Sequence, residues 1–312
     1  MSRRRAAGHH LLVILLLCAV VPFEPGFAAG SSQRLDLFQR IARSDLIVRV
    51  RVREGALRFA VVEIQQLFKG QPPGDTLRIA FRDFNFGRSR GAEPIVFPDG
   101  QEEILFLVPY MQVKRNDKNK DIYELFVGAE GRITVPAEGS GLVLDAIARL
   151  ADIAAAEPAV QIERLRALLG SDNPHLIEAA LDEIDRMMAA TPDLYPRLAA
   201  MLSGVELPLK TRALRLLRFL FERERHDRKA ASTPEALLDL NPQRSADALM
   251  AVQIRARNDA VAEVRRLAVL ALAAWPDRGA VESDLRAIAS QDVEQSVRYE
   301  AKRALVLGGT RP

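Results

Sequence analysis

A 33-residue step in the apolar pattern constrains this chain of 312 residues more than any other feature. After Gly139, aliphatic anchor residues are followed by small or apolar residues four and eight positions later, which is the pattern of one helix face. The anchors are 33 residues apart except for one step of 55: Val143, Leu176, Leu209, Val264 and Val297. A fixed step marks one stacked unit, so residues 141–312 are predicted to form an α-helical solenoid of about five helical pairs, with a 22-residue insertion in the third unit.

The last two units share a motif. "DAVAEVRRLAVLALAAW" begins at Asp259 and "DVEQSVRYEAKRALVLG" begins at Asp292; each has Asp, then Val-Arg five and six residues later, then Ala. The motif resembles the HEAT repeat, including the HEAT-like form of phycobilin-lyase-like proteins. The resemblance implies that Asp259 and Asp292 cap helices or pair with a neighbouring unit, and that Arg265 and Arg298 form a structural ladder.

Residues 45–136 have a different period. The segment "SDLIVRVRV" alternates apolar and charged side chains, and five further segments read as short strands separated by Gly, Pro and Asn-Asp turns. With no helix long enough for a crossover, the pattern predicts a small antiparallel β-barrel or sandwich over residues 31–138. A short helix over Leu35 to Ala42 is predicted ahead of it.

The order of these segments resembles the netrin-like or TIMP-like version of the OB barrel. The resemblance rests on "SDLIVRVRV" (Ser44–Val52), "EIQQLFKG" (Glu63–Gly70), "GDTLRI" (Gly74–Ile79) and "EEILFLVPY" (Glu102–Tyr110). It implies a fold and a tendency to contact other proteins. Eukaryotic members carry amino-terminal cysteines that fix an inhibitory edge, and this chain has none there, so protease inhibition is not implied.

The amino terminus has the order of a secretory signal peptide. Three arginines at positions 3–5 precede the apolar run Leu11–Val21, and small residues follow at Ala28–Gly30. We therefore expect a signal peptide over residues 1–29, cleavage near Ala28–Gly30, and a periplasmic or secreted protein. The run is about half of the roughly 20 residues that a membrane span needs, so no stable span is expected after cleavage. The single cysteine, Cys18, would be removed with it.

Charge and motif content exclude several classes of function. The first 30 residues hold three arginines and one glutamate, so the remainder carries a net charge of +1, without the basic excess of a nucleic-acid-binding protein. After the signal peptide only His175 and His226 remain, and the chain lacks H-E-x-x-H and P-loop motifs. We predict no catalytic residues, no cofactor and no metal site. Asp117, Asn119 and Asp121 match part of a calcium loop, but Ile122 and Gly128 do not, which favours a hairpin loop.

Two irregular segments are the candidates for partner binding. The first is "FRDFNFGRSRG", with Phe84, Phe86, Arg88 and Arg90, where aromatic and basic side chains either contact a ligand or partly fill the core. The second is the insertion in the third unit, where Arg223, Arg225, His226 and Arg228 alternate with acidic residues. That alternation fits either a solvated helix extension or an edge of the solenoid that binds a partner.

These observations predict an exported, non-catalytic scaffold that binds a protein partner in the cell envelope, because curved solenoid faces mainly contact proteins. One alternative is a HEAT-like lyase or an accessory protein of an enzyme, which would need a groove lined by buried carboxylates. A second alternative is an inhibitor of an envelope protease that acts through the β domain.

Overall fold

The structure is a computed structural model, and it describes residues 35–56, 59–80, 95–110, 120–126, 128–135, 140–230 and 242–309. Its amino-terminal half is a closed barrel. The strands are β1 (Leu46–Gly55), β2 (Phe59–Lys69), β3 (Thr76–Ala80), β4 (Glu102–Pro109), β5 (Ile122–Leu125) and β6 (Arg132–Thr134). The predicted fold class, a small β-barrel followed by helices, is confirmed.

Pairing of β1 with β4 closes the barrel. The strands are ordered β1-β2-β3-β5-β4, β4 also pairs with β1, and β6 adds to β4. One pairing differs from the predicted antiparallel arrangement, because β3 and β5 run parallel, with Ile79 opposite Tyr123. Parallel neighbours need a long connection, and residues 81–121 supply it. The resemblance to the netrin-like or TIMP-like OB barrel stays a prediction.

Alternation along β1 and β4 separates two cores. Val48 and Val50 of β1 and Leu105 of β4 point into the barrel, where they pack with the inward residues of the other strands. The intervening apolar residues point out of the barrel and join the core of the helical half: Ile47, Ile104 and Phe106. A period of two residues thus gives the same strands an apolar face on each side.

The helix that precedes the barrel, α1 (Leu37–Arg43), packs against the helical half. Phe38 and Ile41 are buried in the same core as the outward barrel residues. The Arg40 guanidinium donates a 2.9 Å hydrogen bond to the Glu130 carbonyl and lies 5.3 Å from the ring centre of Phe106. This helix therefore contacts both halves of the protein.

The helical half begins at Ser140. Its helices are α2 (Ser140–Ala154), α3 (Pro158–Leu168), α4 (Pro174–Arg186), α5 (Tyr195–Ser203), α6 (Leu207–Ala230), α7 (Pro242–Asn258), α8 (Ala262–Ala274), α9 (Gly279–Gln291) and α10 (Gln295–Gly309). The helices α2, α4, α6, α8 and α10 pack in sequence as one layer, and α3, α5, α7 and α9 each pack against the next helix of that layer. This is a solenoid of stacked helical units.

The five predicted anchors all lie in the first layer, one in each helix. The residues four positions after the anchors are buried without exception: Ile147, Ala180, Ala213, Ala268 and Ala301. The described residues contain four helical pairs followed by α10, compared with the five predicted pairs. The insertion in the third unit lengthens α6 to 24 residues and extends through residues 231–241 to α7. No helix in the described ranges is both long and apolar enough to cross a membrane.

Candidate functional site

The four aromatic and basic candidates of the barrel, Phe84, Phe86, Arg88 and Arg90, lie outside the described residues, and their role stays a prediction. The four candidates of the insertion lie near the carboxyl end of α6. Helical geometry places Arg223 and Arg225 on different faces, because residues that are two positions apart do not face each other. His226 is exposed.

Arg228 belongs to a buried network that joins α5 and α6. Its guanidinium binds Glu224, which in turn accepts a 3.0 Å hydrogen bond from the hydroxyl of Tyr195. Burial, and then the charge of Glu224, raise the pKa of the Tyr195 hydroxyl, which therefore stays protonated. The Tyr195 ring stacks on Phe221 at 5.7 Å. Among the predicted residues, Arg228 thus has a structural contact, and so has Arg223, whose Nη1 lies 3.5 Å from the carbonyl of Ala190.

Arg225 faces the other way, into a groove that runs across three helices of the first layer. The groove has a volume of about 550 Å³. Its lining residues come from α6 (Arg218, Glu222, Arg225), from α8 and the turn that follows it (Arg266, Leu270, Ala273, Ala274, Arg278), and from α10 (Glu300, Arg303, Ala304, Leu307). We call this feature the arginine groove.

Positive charge exceeds negative charge in the arginine groove. Five of the lining residues above are arginines and two are glutamates. Two of the arginines are held by backbone carbonyls of the neighbouring helix: Arg278 donates to Ala304, and Nη1 of Arg225 lies 3.4 Å from the oxygen of Ala273. A guanidinium has five N–H donors, so these contacts orient the side chains and leave donors for a ligand.

Five residues that line the groove are apolar, and we call them its apolar floor: Leu270, Ala273 and Ala274 of α8, and Ala304 and Leu307 of α10. Leu307 is 68% exposed. An apolar floor flanked by oriented cations is suited to a ligand that carries both apolar and anionic groups.

The two glutamates of the groove contact arginines. Glu222 binds Nε of Arg218 at 2.9 Å, and Glu300 lies 3.8 Å from Arg303 and 4.0 Å from Arg266. The side chain of Glu222 is 41% exposed, so the groove does not have the pair of buried carboxylates that the lyase alternative needs. Other carboxylates are buried away from it, for example Glu183, which binds Gln39 and Arg186.

The regular Asp and Arg positions form the predicted structural ladder. Lys210 binds Asp259 of the next unit at 3.0 Å, and Arg265 binds Asp292 of the next unit at 2.8 Å. Each Asp also accepts a backbone N–H two residues later, and Arg298 donates to the carbonyl of Asp292. The prediction that Asp259 and Asp292 pair with a neighbouring unit is confirmed, whereas Arg298 binds within its own unit and the N-cap of α8 is Val261.

Of the three calcium-loop candidates, Asp121 is the one that the described residues include. Asp121 forms two hydrogen bonds of 2.8 and 2.9 Å with the guanidinium of Arg78, while Asp117 and Asn119 lie outside the described residues. Within the parts of the chain that the structure describes, no three His, Cys, Asp or Glu side chains form a group able to hold a metal ion.

Barrel, stacked helices and arginine groove together define a helical-repeat protein with an amino-terminal β-barrel. No protein-family model matches the chain, and no curated protein matches it. Among solved structures, the complex of CpcE and CpcF of phycocyanin lyase from Nostoc sp. PCC7120 is similar at 17% identity and a TM-score of 0.37, over 52% of this chain and 89% of that one. An engineered protein is similar at 18% identity and a TM-score of 0.35, over 53% of this chain and 74% of that one. Similarities of this size do not identify an activity.

Proposed function

We propose that this protein is a non-catalytic scaffold whose HEAT-like solenoid binds a protein partner in the arginine groove. As its leader-like amino terminus predicts, we place it in the periplasm or outside the cell, with the partner in the cell envelope. On this proposal the netrin-like barrel is a second module, packed against the solenoid through Ile47, Ile104 and Phe106.

The observation that carries the proposal is the contrast between Arg265 of the ladder and Arg303 of the groove. Arg265 of the ladder forms two hydrogen bonds with Asp292 and a third with the carbonyl of Asp259, so its donors are used within the solenoid. Arg303 of the groove has a 3.8 Å contact with Glu300, and its side chain is 58% exposed. Arginine is enriched in protein interfaces, and its exposed donors beside an apolar floor are suited to a partner surface.

Affinity purification from the cell envelope tests the proposal with three full-length proteins: the natural chain, the double variant Arg225→Gln/Arg303→Gln, and the control Arg286→Gln. Arg286 lies on α9 outside the groove, and its side chain is 71% exposed. We expect one protein to be retained by the natural chain and the control and lost with the double variant. A partner that the double variant retains equally well would contradict the proposal.

A further inference from the structure

We infer that the ligand of the arginine groove is an acidic amphipathic helix of the partner. Its apolar side chains would pack on Leu270 and Leu307, and its carboxylates would bind Arg225 and Arg303. The inference rests on the proposed function, since it names the chemistry of the partner at the same site.

The dimensions of the groove fit a short helix. The lining residues of α6 run from Arg218 to Arg225, and those of α10 run from Glu300 to Leu307, so the first and last are seven positions apart in each case. At 1.5 Å per residue both walls are about 10 Å long, or two helical turns. Binding of an amphipathic helix in an apolar groove is a recurring mode of peptide recognition.

The distribution of charge selects an acidic ligand of limited length. Arg218 and Arg225 lie on one wall, Arg303 lies on the opposite wall, and Arg266 and Arg278 lie between them. Carboxylates on both flanks of a bound helix would therefore meet guanidinium groups, which bind carboxylates with two parallel hydrogen bonds. The excess of cations extends over only about 10 Å, and the rest of the chain is nearly neutral. A long polyanion would gain little affinity here, because its binding grows with the number of phosphates that the protein neutralises.

Exposed apolar residues next to the groove would contact a ligand that is larger than a small anion. Tyr299 and Val306 of α10 are 63% and 65% exposed. They lie on either side of Arg303 along the helix, four residues before it and three residues after it, so the three side chains share one face. Exposed apolar residues that adjoin the groove indicate a ligand with apolar area of its own, which a small carboxylic acid lacks.

The ligand class can be tested without knowing the partner, with a displayed library of random 12-residue peptides. Peptides would be selected on the full-length natural chain and counter-selected on Arg225→Gln/Arg303→Gln. We expect the enriched peptides to carry Asp or Glu on one face and Leu, Ile or Phe at i, i+3 and i+4 on the other. Enrichment of basic or unpatterned peptides, or of none that discriminates the variant, would overturn the inference.

The best enriched peptide would then be labelled and titrated by fluorescence anisotropy. We expect Arg225→Gln and Arg303→Gln each to weaken binding by about tenfold, which is the lower end of the coupling measured for close charge pairs at an interface, and Arg286→Gln to change it less than about twofold. Leu307→Ala tests the floor at an exposed position, and circular dichroism of each variant checks that the fold is kept. Unchanged affinity in Arg225→Gln and Arg303→Gln would overturn the inference.

The two proposals fail differently. If the affinity purification yields a partner that depends on the groove, while the library yields no acidic amphipathic peptide, the scaffold function stands and the ligand class is wrong. If such peptides bind in the groove but no protein is lost from the double variant, the ligand class stands and the scaffold function is wrong.

Discussion

Arg265 and Asp292 belong to consecutive units of the solenoid, and hydrogen bonds of 2.8 and 3.0 Å join the guanidinium of the first to both carboxylate oxygens of the second. Their side chains are 9% and 6% exposed. The same Asp292 oxygen that binds Nη2 also accepts the N–H of Glu294 at 2.8 Å, at the start of α10. One carboxylate thus begins a helix and holds it to the preceding unit.

Replacing Asp292 by Asn should destabilise the protein. Asn keeps an oxygen that can accept the Glu294 N–H, but it removes the charge opposite a nearly buried guanidinium. We expect the free energy of unfolding to fall by about 1–3 kcal/mol, measured by urea unfolding of the full chain. Arg286→Ala is the matched control, because its ion pair with Glu282 is exposed and should contribute less than about 1 kcal/mol. An equal loss in both variants would contradict the ladder.

The contribution of the Asp292 carboxylate to the free energy of unfolding should disappear at acid pH. Burial alone would raise the pKa of Asp292, but hydrogen bonds from Arg265 and from the Glu294 N–H outweigh it, so its pKa in the fold lies below the ordinary value. A carboxylate with a lowered pKa stabilises the fold above its unfolded pKa of about 4, and this stability is lost as the pH falls through the lower, folded value. Unfolding curves of the natural chain and Asp292→Asn should therefore converge below about pH 4. A constant difference down to pH 2 would contradict this assignment.

Asp36, at the start of α1, should show the opposite dependence. Burial, with the nearby charges of Glu183 and Asp182, raises the pKa of Asp36, although the Gln39 N–H donates to it. The unfolded chain loses this proton first, so stability falls as the pH rises from about 4 through the folded pKa, and the cost persists at neutral pH.

Asp36→Asn keeps a capping oxygen without the charge. We expect it to be as stable as the natural chain or more stable by up to about 1 kcal/mol at pH 7, with the difference shrinking toward pH 4. Asp36→Ala, which also removes the cap, should lose about 1 kcal/mol relative to Asp36→Asn at every pH. Thermal unfolding at several pH values measures both, and a difference that grows toward acid pH would show that the assignment is wrong.

Gly70 should not tolerate a side chain. It ends β2 with a φ of 88°, and a Cβ atom there would lie 2.3 Å from the carbonyl oxygen of Asp45. We expect Gly70→Ala to cost about 1–3 kcal/mol, because the backbone conformation is unfavourable for Ala and the contact is with another backbone. Gly74→Ala, where a Cβ would meet nothing within 4 Å, should stay within about 0.5 kcal/mol of the natural chain in the same urea experiment. Similar losses at the two sites would contradict the role of Gly70.

Small residues in the first layer should be required by packing. Ala268 is fully buried on α8, which packs against α6, α7 and α10. We expect Ala268→Leu to lower the free energy of unfolding by about 1–3 kcal/mol through overpacking. Ala159→Leu, at an exposed position of α3, should change it by less than about 0.5 kcal/mol. Unchanged stability of Ala268→Leu would contradict tight packing around Ala268 in this layer.

Much of the fold follows from local sequence pattern. The anchors of the solenoid and the strands of the barrel are encoded within windows of about ten residues, so the apolar period alone places Val264 and Val297 on buried helix faces. Pairing between strands that are distant in the chain leaves no such signal. The parallel pairing of β3 with β5, with Ile79 opposite Tyr123, is therefore not predictable from the sequence of either strand.

The arginine groove is predictable only in part. The charged run at the end of α6 draws attention to Arg225, whereas no local pattern marks Arg266 and Arg303. Arg266 lies two residues after the anchor Val264, whereas Arg303 lies six residues after the anchor Val297. The two arginines therefore do not occupy equivalent positions of the repeat. Stacking brings them together, and this depends on how three helices pack rather than on the sequence of any one of them.

The position of α1 determines when the molecule can be completed. This helix is made before the barrel but packs on α2 and α4, the second of which ends at Arg186. The core around Phe38 and Ile41 is therefore complete only when the chain from α1 to the end of α4 is present, in whichever compartment it folds. A chain that ends before α4 should leave part of this core open to water and prone to aggregation.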